Sequence, residues 1–150
     1  MNFSGDGKMP TLKFTTLWDN HPGPGSMPCD VQFKDQCAIR MGASLLKSGV
    51  AMSTFTGVRC WSNLKHSPKH ILRAEELANW LAKQKALVGT PSKRKKANSS
   101  HYQGKKGIVF IKDGWKGGGD HIDLWSGHAM RTGRTEWFEL GWEVWFWPLD

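Results

Sequence analysis

Two short segments of the chain carry residue types that could form a thiol–imidazole pair. Cys37 follows Asp35 and Gln36 where an amphipathic helix is expected to begin, and His121 opens a short segment of β-strand character. Cysteine attacks a carbonyl carbon as its thiolate, and a nearby imidazole can accept the thiol proton and later protonate the leaving group. Because the two residues lie far apart in the chain, the fold must bring them together before this chemistry is available.

The segment around His121 predicts a third polar partner. If Ile122 and Leu124 face the core, alternation puts His121, Asp123 and Trp125 on the opposite face of the strand. A carboxylate two residues from an imidazole can orient the ring or hold a neighbouring loop. A purely structural interpretation also exists, because an unmodified cysteine is often a small buried apolar residue and a strand histidine can be a satisfied core residue.

An amphipathic helix is predicted to carry the thiol. Asp35 is its predicted N-cap, and Gly49 is predicted to end it. Cys37 then lies in the first turn, where unpaired N–H groups and the positive end of the helix dipole stabilise a thiolate. The apolar positions that define this helix are Ala38, Ile39, Met41, Leu45 and Leu46.

The other elements predict helices followed by a sheet. A second helix is predicted from about Pro68 to Leu87, and the lysine-rich stretch 88–106 is predicted to be a solvated loop. The segment 10–28 is predicted to be irregular, with a short helix or strand possible over 11–14. The predicted strands are 107–112, which should be central, then 121–125 and 143–147, with a turn over 115–119. This order indicates an α+β fold with an antiparallel sheet, in one domain spanning 1–150.

Composition narrows the classes of partner. The formal charge of +8 predicts an anionic partner, which leaves nucleic acid, acidic lipid and acidic cell-wall polymer open. Basic residues interleaved with aromatic ones on one face would favour nucleic acid, and this pattern does not occur. No run approaches the ~18 apolar residues of a membrane span. The first residues lack the apolar centre of a signal peptide, so we expect synthesis in the cytosol and export only by a specialised apparatus.

Three cysteines are too few for a disulfide scaffold. A bridge between Cys29 and Cys60 would leave Cys37 as a thiol, and the sequence leaves open whether that bridge forms. A zinc site made of His21, Cys29, Cys37 and His121 has no CxxC or HExxH spacing to support it. The sequence therefore predicts neither a metal nor another cofactor.

Several motifs occur in the order found in the fourth family of type VI secretion amidase effectors, which the chain resembles from about residue 14 to the end. The matching segments are Gln36-Cys37-Ala38-Ile39-Arg40-Met41, Leu72-Arg73-Ala74-Glu75-Glu76-Leu77, Gly107-Ile108-Val109-Phe110, His121-Ile122-Asp123-Leu124-Trp125-Ser126-Gly127 and Glu143-Val144-Trp145-Phe146-Trp147-Pro148. The resemblance implies a papain-like, NlpC-type cysteine peptidase fold with N-terminal helices packed on the sheet.

The resemblance also implies an activity and a setting. Members of that family are DL-endopeptidases that cleave the γ-D-glutamyl–meso-diaminopimelate bond of peptidoglycan stem peptides. The type VI secretion apparatus injects them into the periplasm of a rival bacterium, and a cognate immunity protein protects the producer. The positive charge of this chain agrees with an anionic cell-wall substrate.

The matching motifs also imply roles for individual residues of the site. Cys37 is expected to be the nucleophile, with its backbone N–H as an oxyanion donor, and His121 the general base. Where the family has an aspartate, this chain has Thr132. Asp123, Glu136 or a backbone carbonyl is left as the group that orients the imidazole, and Asp123 is the residue we predict.

Two more residues are predicted to bind substrate, Trp125 and Asp35. Other functions stay open at this stage: an acyltransferase or isopeptidase using the same pair, a non-catalytic wall-binding module, and a nucleic-acid binder. Substrate profiling, turnover and the salt dependence of DNA affinity, respectively, would separate them from a peptidoglycan amidase.

Overall fold

The N-terminal half of the chain is helical and the C-terminal half is built on a sheet. A computed structural model describes residues 10–29, 33, 35–60, 69–115 and 119–150. The helices are α1 (Phe14–Asn20), α2 (Cys37–Lys47), α3 (Ala74–Ala82) and the single turn α4 (Lys85–Val88), and the strands are β1 (Ser92–Arg94), β2 (Gly107–Trp115), β3 (Gly119–Trp125) and β4 (Glu143–Pro148). Two 3-10 helices, Ser99–Tyr102 and Thr135–Glu139, complete the described elements. The α+β prediction is confirmed.

All neighbouring strands of the sheet are antiparallel, in the order β1-β4-β2-β3. The predicted central strand is therefore confirmed, since β2 lies between β4 and β3. Its register puts Ile111 opposite His121 and Val109 opposite Asp123. Beyond Ile111 the pairing shifts through a bulge, where Asp113 has a φ of 52° and donates its backbone N–H to the Asp120 carboxylate at 2.8 Å.

Both faces of the sheet are buried, which explains why its strands are apolar at successive positions rather than at alternate ones. One face packs on the helices, and its side chains are Ile108, Phe110, Ile122, Leu124, Trp145 and Trp147. The other face packs under the two 3-10 helices, and it contributes Val109, Ile111, Trp125, Val144 and Phe146. Each such buried side chain contributes about 1.5–3 kcal/mol to the free energy of unfolding.

Helix α2 packs against α1, α3 and strand β3. Met41 and Leu45 are fully buried in the core on the helix side of the sheet, and the Ser44 hydroxyl donates to the Leu17 carbonyl at 2.7 Å. The helix ends as predicted, because Gly49 adopts a φ of 88° and its N–H donates to the Leu46 carbonyl. At the other end Gln36, not Asp35, occupies the N-cap position, and no side chain caps the helix. The predicted Asp35 cap is wrong.

The predicted second helix is shorter than expected. Residues 61–68, which include the predicted start at Pro68, lie outside the described residues. The described helix begins at Ala74, because Ile71 pairs in a β-bridge with Arg59 and the chain before Ala74 is extended. A break at Lys83 then separates α3 from α4.

Two predictions of irregular structure are wrong in part. Within 88–106, Ser92–Arg94 forms an exposed edge strand on β4, and Tyr102 is buried at the end of a 3-10 helix capped by Asn98 and His101. Within 10–28, Phe14–Asn20 is helical and packs on α2. Tertiary contacts stabilise both segments, since neither has a periodic apolar pattern long enough to predict an element. Every helix in the described part of the chain falls short of the length and apolar character that a bilayer-spanning segment needs.

Candidate active site

Helix α2 and strand β3 pack together and place Cys37 and His121 on one cleft. Cys37 is the first residue of α2, and its Sγ lies 4.0 Å from the Asp120 carbonyl on β3. His121 is the next residue of that strand, and a hydrogen bond with the Cys37 thiol contributes to its raised pKa. We call this space of about 290 Å³ the Cys37 cleft, and its other lining residues are Met27, Phe33, Asp35, Gln36, Arg40, Thr132 and Trp137.

A buried carboxylate holds the far side of the His121 ring. Asp123, two residues along the same face of β3, accepts a hydrogen bond from Nε2 of His121 at 2.8 Å. Asp123 is fully buried, and its oxygens also accept from the backbone N–H groups of Leu124, Thr132 and Gly133 and from the Thr132 hydroxyl. Because Nε2 is engaged by Asp123, Nδ1 is the ring nitrogen left to exchange a proton with the thiol.

The residue at the family's aspartate position has a different task here. Thr132 supplies two donors to Asp123, at 3.2 Å from its backbone N–H and 3.1 Å from its hydroxyl. Glu136, the other carboxylate considered, is exposed on the 3-10 helix Thr135–Glu139. Within the described residues, the carboxylate hydrogen-bonded to His121 is that of Asp123.

These contacts leave the His121 imidazole and the Asp123 carboxyl group both charged at neutral pH. Burial alone would lower the pKa of His121, but the hydrogen bond with Asp123, followed by that with Cys37, raises this pKa to about 9. Burial alone would raise the pKa of Asp123, but the His121 contact and the backbone N–H donors hold it below its ordinary value. An imidazolium beside a thiol at a helix N-terminus is the arrangement that stabilises a thiolate.

Aromatic rings fix the imidazole from the side. Trp137 packs edge-on against His121 with ring centroids 4.8 Å apart, and Trp115 lies 6.1 Å from it. Gly133 passes so close that a Cβ there would lie 2.8 Å from Nε2 of His121 and 2.7 Å from the Trp137 ring. Only glycine fits this approach. Sequence reasoning named neither Trp137 nor Gly133 as a site residue, because both reach His121 only through the fold.

The loop that holds Asp123 is tied to α1. The Arg131 guanidinium donates to the backbone carbonyls of Trp18 at 3.4 Å and His21 at 3.3 Å, and it stacks over the Trp18 ring at 5.2 Å. His21 is itself buried and accepts the Gly23 N–H on Nδ1. Burial lowers the pKa of His21 to about 4, so this ring is neutral at neutral pH.

Two side chains at the start of α2 that line the Cys37 cleft tie this helix to the segment before it. Arg40 donates to the carbonyls of Ser26 and Pro24 at 2.9 Å and 2.8 Å, and the Gln36 amide donates to the Phe33 carbonyl at 2.6 Å. Among the described residues the buried Oε1 of Gln36 has no hydrogen-bond partner. A substrate amide entering the cleft can satisfy that acceptor.

The two residues predicted to bind substrate have different positions. Trp125 is fully buried, donates its indole N–H to the Tyr102 carbonyl at 2.8 Å and packs edge-on against Phe138. It lies on the same face of β3 as His121 but is covered by the core under the two 3-10 helices, so the predicted substrate contact is wrong. Asp35 is exposed on the rim of the Cys37 cleft, and its substrate contact stays a prediction.

The chain matches one protein family. The family model for type VI secretion system (T6SS) amidase effector protein 4, Tae4, matches residues 33–147. This range contains Cys37, His121, Asp123 and Thr132. Among curated proteins, no sequence matches the chain.

Solved structures share the fold. The effector in the Tae4–Tai4 effector–immunity complex from Salmonella Typhimurium superposes with a TM-score of 0.73 at 21% identity, covering 93% of this chain and 99% of that one. Tae4 from Enterobacter cloacae superposes with a TM-score of 0.71 at 18% identity, covering 95% and 99%. With the fold and the family match in agreement, the chain belongs to the Tae4 family of type VI secretion amidase effectors.

Proposed function

We propose that this amidase cleaves the γ-D-glutamyl–meso-diaminopimelate bond of peptidoglycan stem peptides, with Cys37 as nucleophile, His121 as general acid and base, and Asp123 as the group that orients His121. The observation that carries the proposal is the unbroken contact from thiol to imidazole to buried carboxylate along one cleft. The missing family aspartate at Thr132 does not argue for a non-catalytic wall-binding module, because Asp123 already accepts from the ring.

Acylation begins with attack of the Cys37 thiolate on the γ-carbonyl carbon of D-glutamate. The new S–C bond pushes the carbonyl electrons onto oxygen, and the N–H groups of the first turn of α2, including that of Cys37, stabilise the oxyanion. The tetrahedral intermediate collapses as the C–N bond breaks. His121 gives its Nδ1 proton to the leaving amine of diaminopimelate, which leaves a thioester on Cys37.

Deacylation reuses the same imidazole. Neutral His121 removes a proton from water, and the hydroxide oxygen attacks the thioester carbon. When the S–C bond breaks, the free γ-carboxylate of D-glutamate departs, and the thiolate and imidazolium are restored. Asp123 keeps its charge throughout, and its role is to hold the ring in one tautomer and orientation.

The rim of the cleft supports a charged substrate. Stem peptides carry free carboxylates and, on diaminopimelate, a free ammonium group. The Arg40 guanidinium and the Asp35 carboxylate both line the Cys37 cleft and offer one partner for each sign. Asp35→Asn should therefore raise KM about 1.5- to fivefold with little change in kcat, since an exposed ion pair is worth about 0.2–1 kcal/mol.

The setting proposed is that of a secreted antibacterial effector. Delivery by the type VI apparatus would carry the chain to the periplasm of a target cell, and a cognate immunity protein would protect the producer. The Salmonella Typhimurium structure is an effector–immunity complex, which supports such a partner for this chain. Production directed to the periplasm should lyse cells, whereas cytosolic production and periplasmic Cys37→Ala protein should not.

Digestion of purified sacculi tests the reaction itself. Wild-type protein should release muropeptides with a new γ-carboxyl on D-glutamate and a new amine on diaminopimelate, identified by mass spectrometry. His121→Ala should abolish release, and His128→Ala, which changes an exposed histidine in the same part of the chain, should not. Release of intact stem peptides from the glycan, or cleavage at another peptide bond, would refute the bond assignment.

A further inference from the structure

A second cluster of thiols and an imidazole lies outside the Cys37 cleft. Cys29, Cys60 and His70, here the Cys60 cluster, bring two Sγ atoms and one ring nitrogen within 4.8 Å of one another. The Cys60 Sγ lies 4.0 Å from Nδ1 of His70 and accepts the His70 backbone N–H at 3.1 Å. Both cysteines are buried thiols, and His70 is half-buried.

The backbone fixes this cluster independently of the side chains. The Cys60 N–H donates to the His70 carbonyl at 2.9 Å, and the neighbouring Arg59 and Ile71 form an antiparallel bridge. Cys29 comes from the segment that precedes α2. Ile39 of α2 packs against both cysteines, so the cluster lies directly behind the first turns of the helix that carries Cys37.

The donor set fits a zinc-class cation. Zinc takes thiolate sulfur at about 2.3 Å and imidazole nitrogen at about 2.0–2.1 Å, so tetrahedral ligand atoms lie about 3.5–3.8 Å apart. The Cys60 Sγ and His70 Nδ1 are 4.0 Å apart, and no pair in the cluster exceeds 4.8 Å, so the ligand atoms must approach by up to about 1 Å, which side-chain rotations can supply. Two thiolates also neutralise a divalent cation, so the buried site carries no net charge from these ligands.

Thiols bind zinc as thiolates, so a cation that enters the site must displace their protons, and its binding depends on pH. A disulfide between the two cysteines would use the sulfurs, but it would give no role to the imidazole nitrogen that faces Cys60.

We propose that Cys29, Cys60 and His70 bind one zinc-class divalent cation and so clamp the segment before α2 to the Arg59–Ile71 bridge. The set shares only Cys29 with the zinc site considered from the sequence, which predicted no metal. Neither Cys37 nor His121 belongs to it. The proposal is therefore independent of the bond that the enzyme cleaves.

Cobalt(II) titration of the full chain, purified under reducing conditions without metal, tests the site. One equivalent should produce thiolate-to-cobalt charge-transfer absorption and the visible bands of a tetrahedral ion, and zinc should displace them. Zinc should also raise the melting temperature. Cys60→Ser and His70→Ala should each remove or strongly weaken the cobalt spectrum, while Cys37→Ser and His128→Ala should leave it intact.

Several results would overturn the proposal. One is a spectrum that survives in Cys60→Ser and disappears in Cys37→Ser, which would put the ion in the Cys37 cleft. Another is the absence of any cobalt spectrum while both buried thiols still react with a thiol reagent after unfolding. A third is a mass two hydrogens below that expected, with a Cys29–Cys60 linked peptide, in protein handled without oxidant. If Cys60→Ser fails to fold, the half-buried His70→Ala variant carries the test, with circular dichroism as the check on folding.

Discussion

Two pairings of a cysteine with a histidine lie within the described residues, and their surroundings make them chemically different. Cys37 lies at the N-terminus of α2 on a cleft, and the ring of His121 is backed by the buried Asp123 carboxylate. Cys60 lies in the interior, next to His70 and to a second buried thiol, that of Cys29. A carboxylate behind the imidazole supports proton transfer, whereas a second sulfur supports metal binding.

The resting charges of the two groups differ for the same reason. Asp123 raises the pKa of His121 to about 9, so that pair is an ion pair at neutral pH. In the Cys60 cluster, burial raises the pKa of the Cys60 thiol and the adjacent Cys29 raises it further, which favours the neutral form. The identity of the third partner, more than the cysteine–histidine pair itself, therefore decides what each site can do.

Replacing the cysteine of each site by serine should give the largest difference in behaviour between the two sites. Cys37→Ser should lower kcat on sacculi by about 10⁴-fold or more, because a neutral hydroxyl is a far weaker nucleophile than a thiolate. Its cobalt spectrum should be unchanged. Cys60→Ser should lose the cobalt spectrum and melt at a lower temperature. Below that melting temperature its turnover should fall by less than about tenfold, because Cys60 touches no reacting atom.

Equal losses of turnover in these two variants would contradict the comparison. Such a result would mean that the Cys60 cluster acts directly on the chemistry or that both variants are misfolded. Circular dichroism and the melting curve distinguish these cases, since a folded Cys60→Ser protein without turnover would place sulfur chemistry in the second site.

Asp123→Asn should have the next largest effect, a fall in kcat of about 10²–10⁴-fold with KM little changed, because an amide neither fixes the tautomer nor stabilises the imidazolium. The pKa of His121, followed by NMR, should drop from about 9. Breaking a buried pair also lowers the free energy of unfolding, by about 3–5 kcal/mol. Glu136→Gln is the matched control on an exposed carboxylate, and a loss of activity there with none in Asp123→Asn would reverse the assignment.

The sequence predicted the main elements because their patterns are local. Helix α2 has an apolar face and a glycine stop, and β2, β3 and β4 have apolar, β-branched or aromatic runs. Alternation along β3 put His121 and Asp123 on one face, and the bond between them follows from that spacing. Long-range contacts could not be predicted in this way, because the donors on Thr132 and Gly133 reach Asp123 only after the chain has turned back past β3.

The same distinction explains one wrong prediction and one contact that the sequence did not indicate. Trp125 shares the face of His121, but the strand continues under the 3-10 helix Ser99–Tyr102, so its indole is covered. Cys60 and His70 meet through a backbone pairing with no sequence spacing typical of zinc ligands. A one-dimensional pattern gives the face of a strand, and only the fold gives what covers that face.

Gly133→Ala should have an intermediate effect, with kcat reduced by about 10²-fold, since an added methyl group must displace His121 or Trp137 and an error of about 1 Å is enough for such a loss. Gly25→Ala is the matched control, because a Cβ at that glycine meets nothing within 4 Å. Full activity in Gly133→Ala would show that the ring need not be held in its present place. The cobalt spectrum should be unaffected in both variants.

The pH dependence of stability and of kcat/KM should also distinguish the two sites, with a smaller effect than these substitutions. His121 has a folded pKa of about 9 against an ordinary 6.5, so its stabilising contribution is complete below pH 6.5 and is lost as pH rises through 9. Asp123 has a lowered pKa, so its contribution is present above the ordinary 3.8 and is lost as pH falls through the folded value. kcat/KM should fall by about tenfold per pH unit above 9.

Metal binding should respond to pH in the opposite direction. Protons compete with cobalt for the Cys60 cluster, so affinity should rise with pH over the range in which activity is still level. The two profiles can be measured on one preparation. An activity profile that stays level above pH 10 would argue against an imidazolium as the working acid, and cobalt affinity independent of pH would argue against thiolate ligands.

Arg131→Ala should have the smallest effect and reports on how far the support of the Cys37 cleft extends. The guanidinium ties the loop that holds Asp123 to α1 through two carbonyls and the Trp18 ring, contacts worth about 0.5–1 kcal/mol for the ring alone. We expect a three- to tenfold fall in kcat, within the range of about 1 kcal/mol in barrier height, and a KM that does not change. A positioning role predicts that Arg131→Lys restores part of the loss and that the pKa of His121 falls only slightly.

Arg134→Ala, which removes an exposed guanidinium three residues along the chain, should behave as wild type. If Arg131→Ala lowers the melting temperature but leaves kcat at a temperature well below it unchanged, α1 stabilises the fold without positioning the catalytic groups, and the support of His121 ends at Thr132 and Gly133.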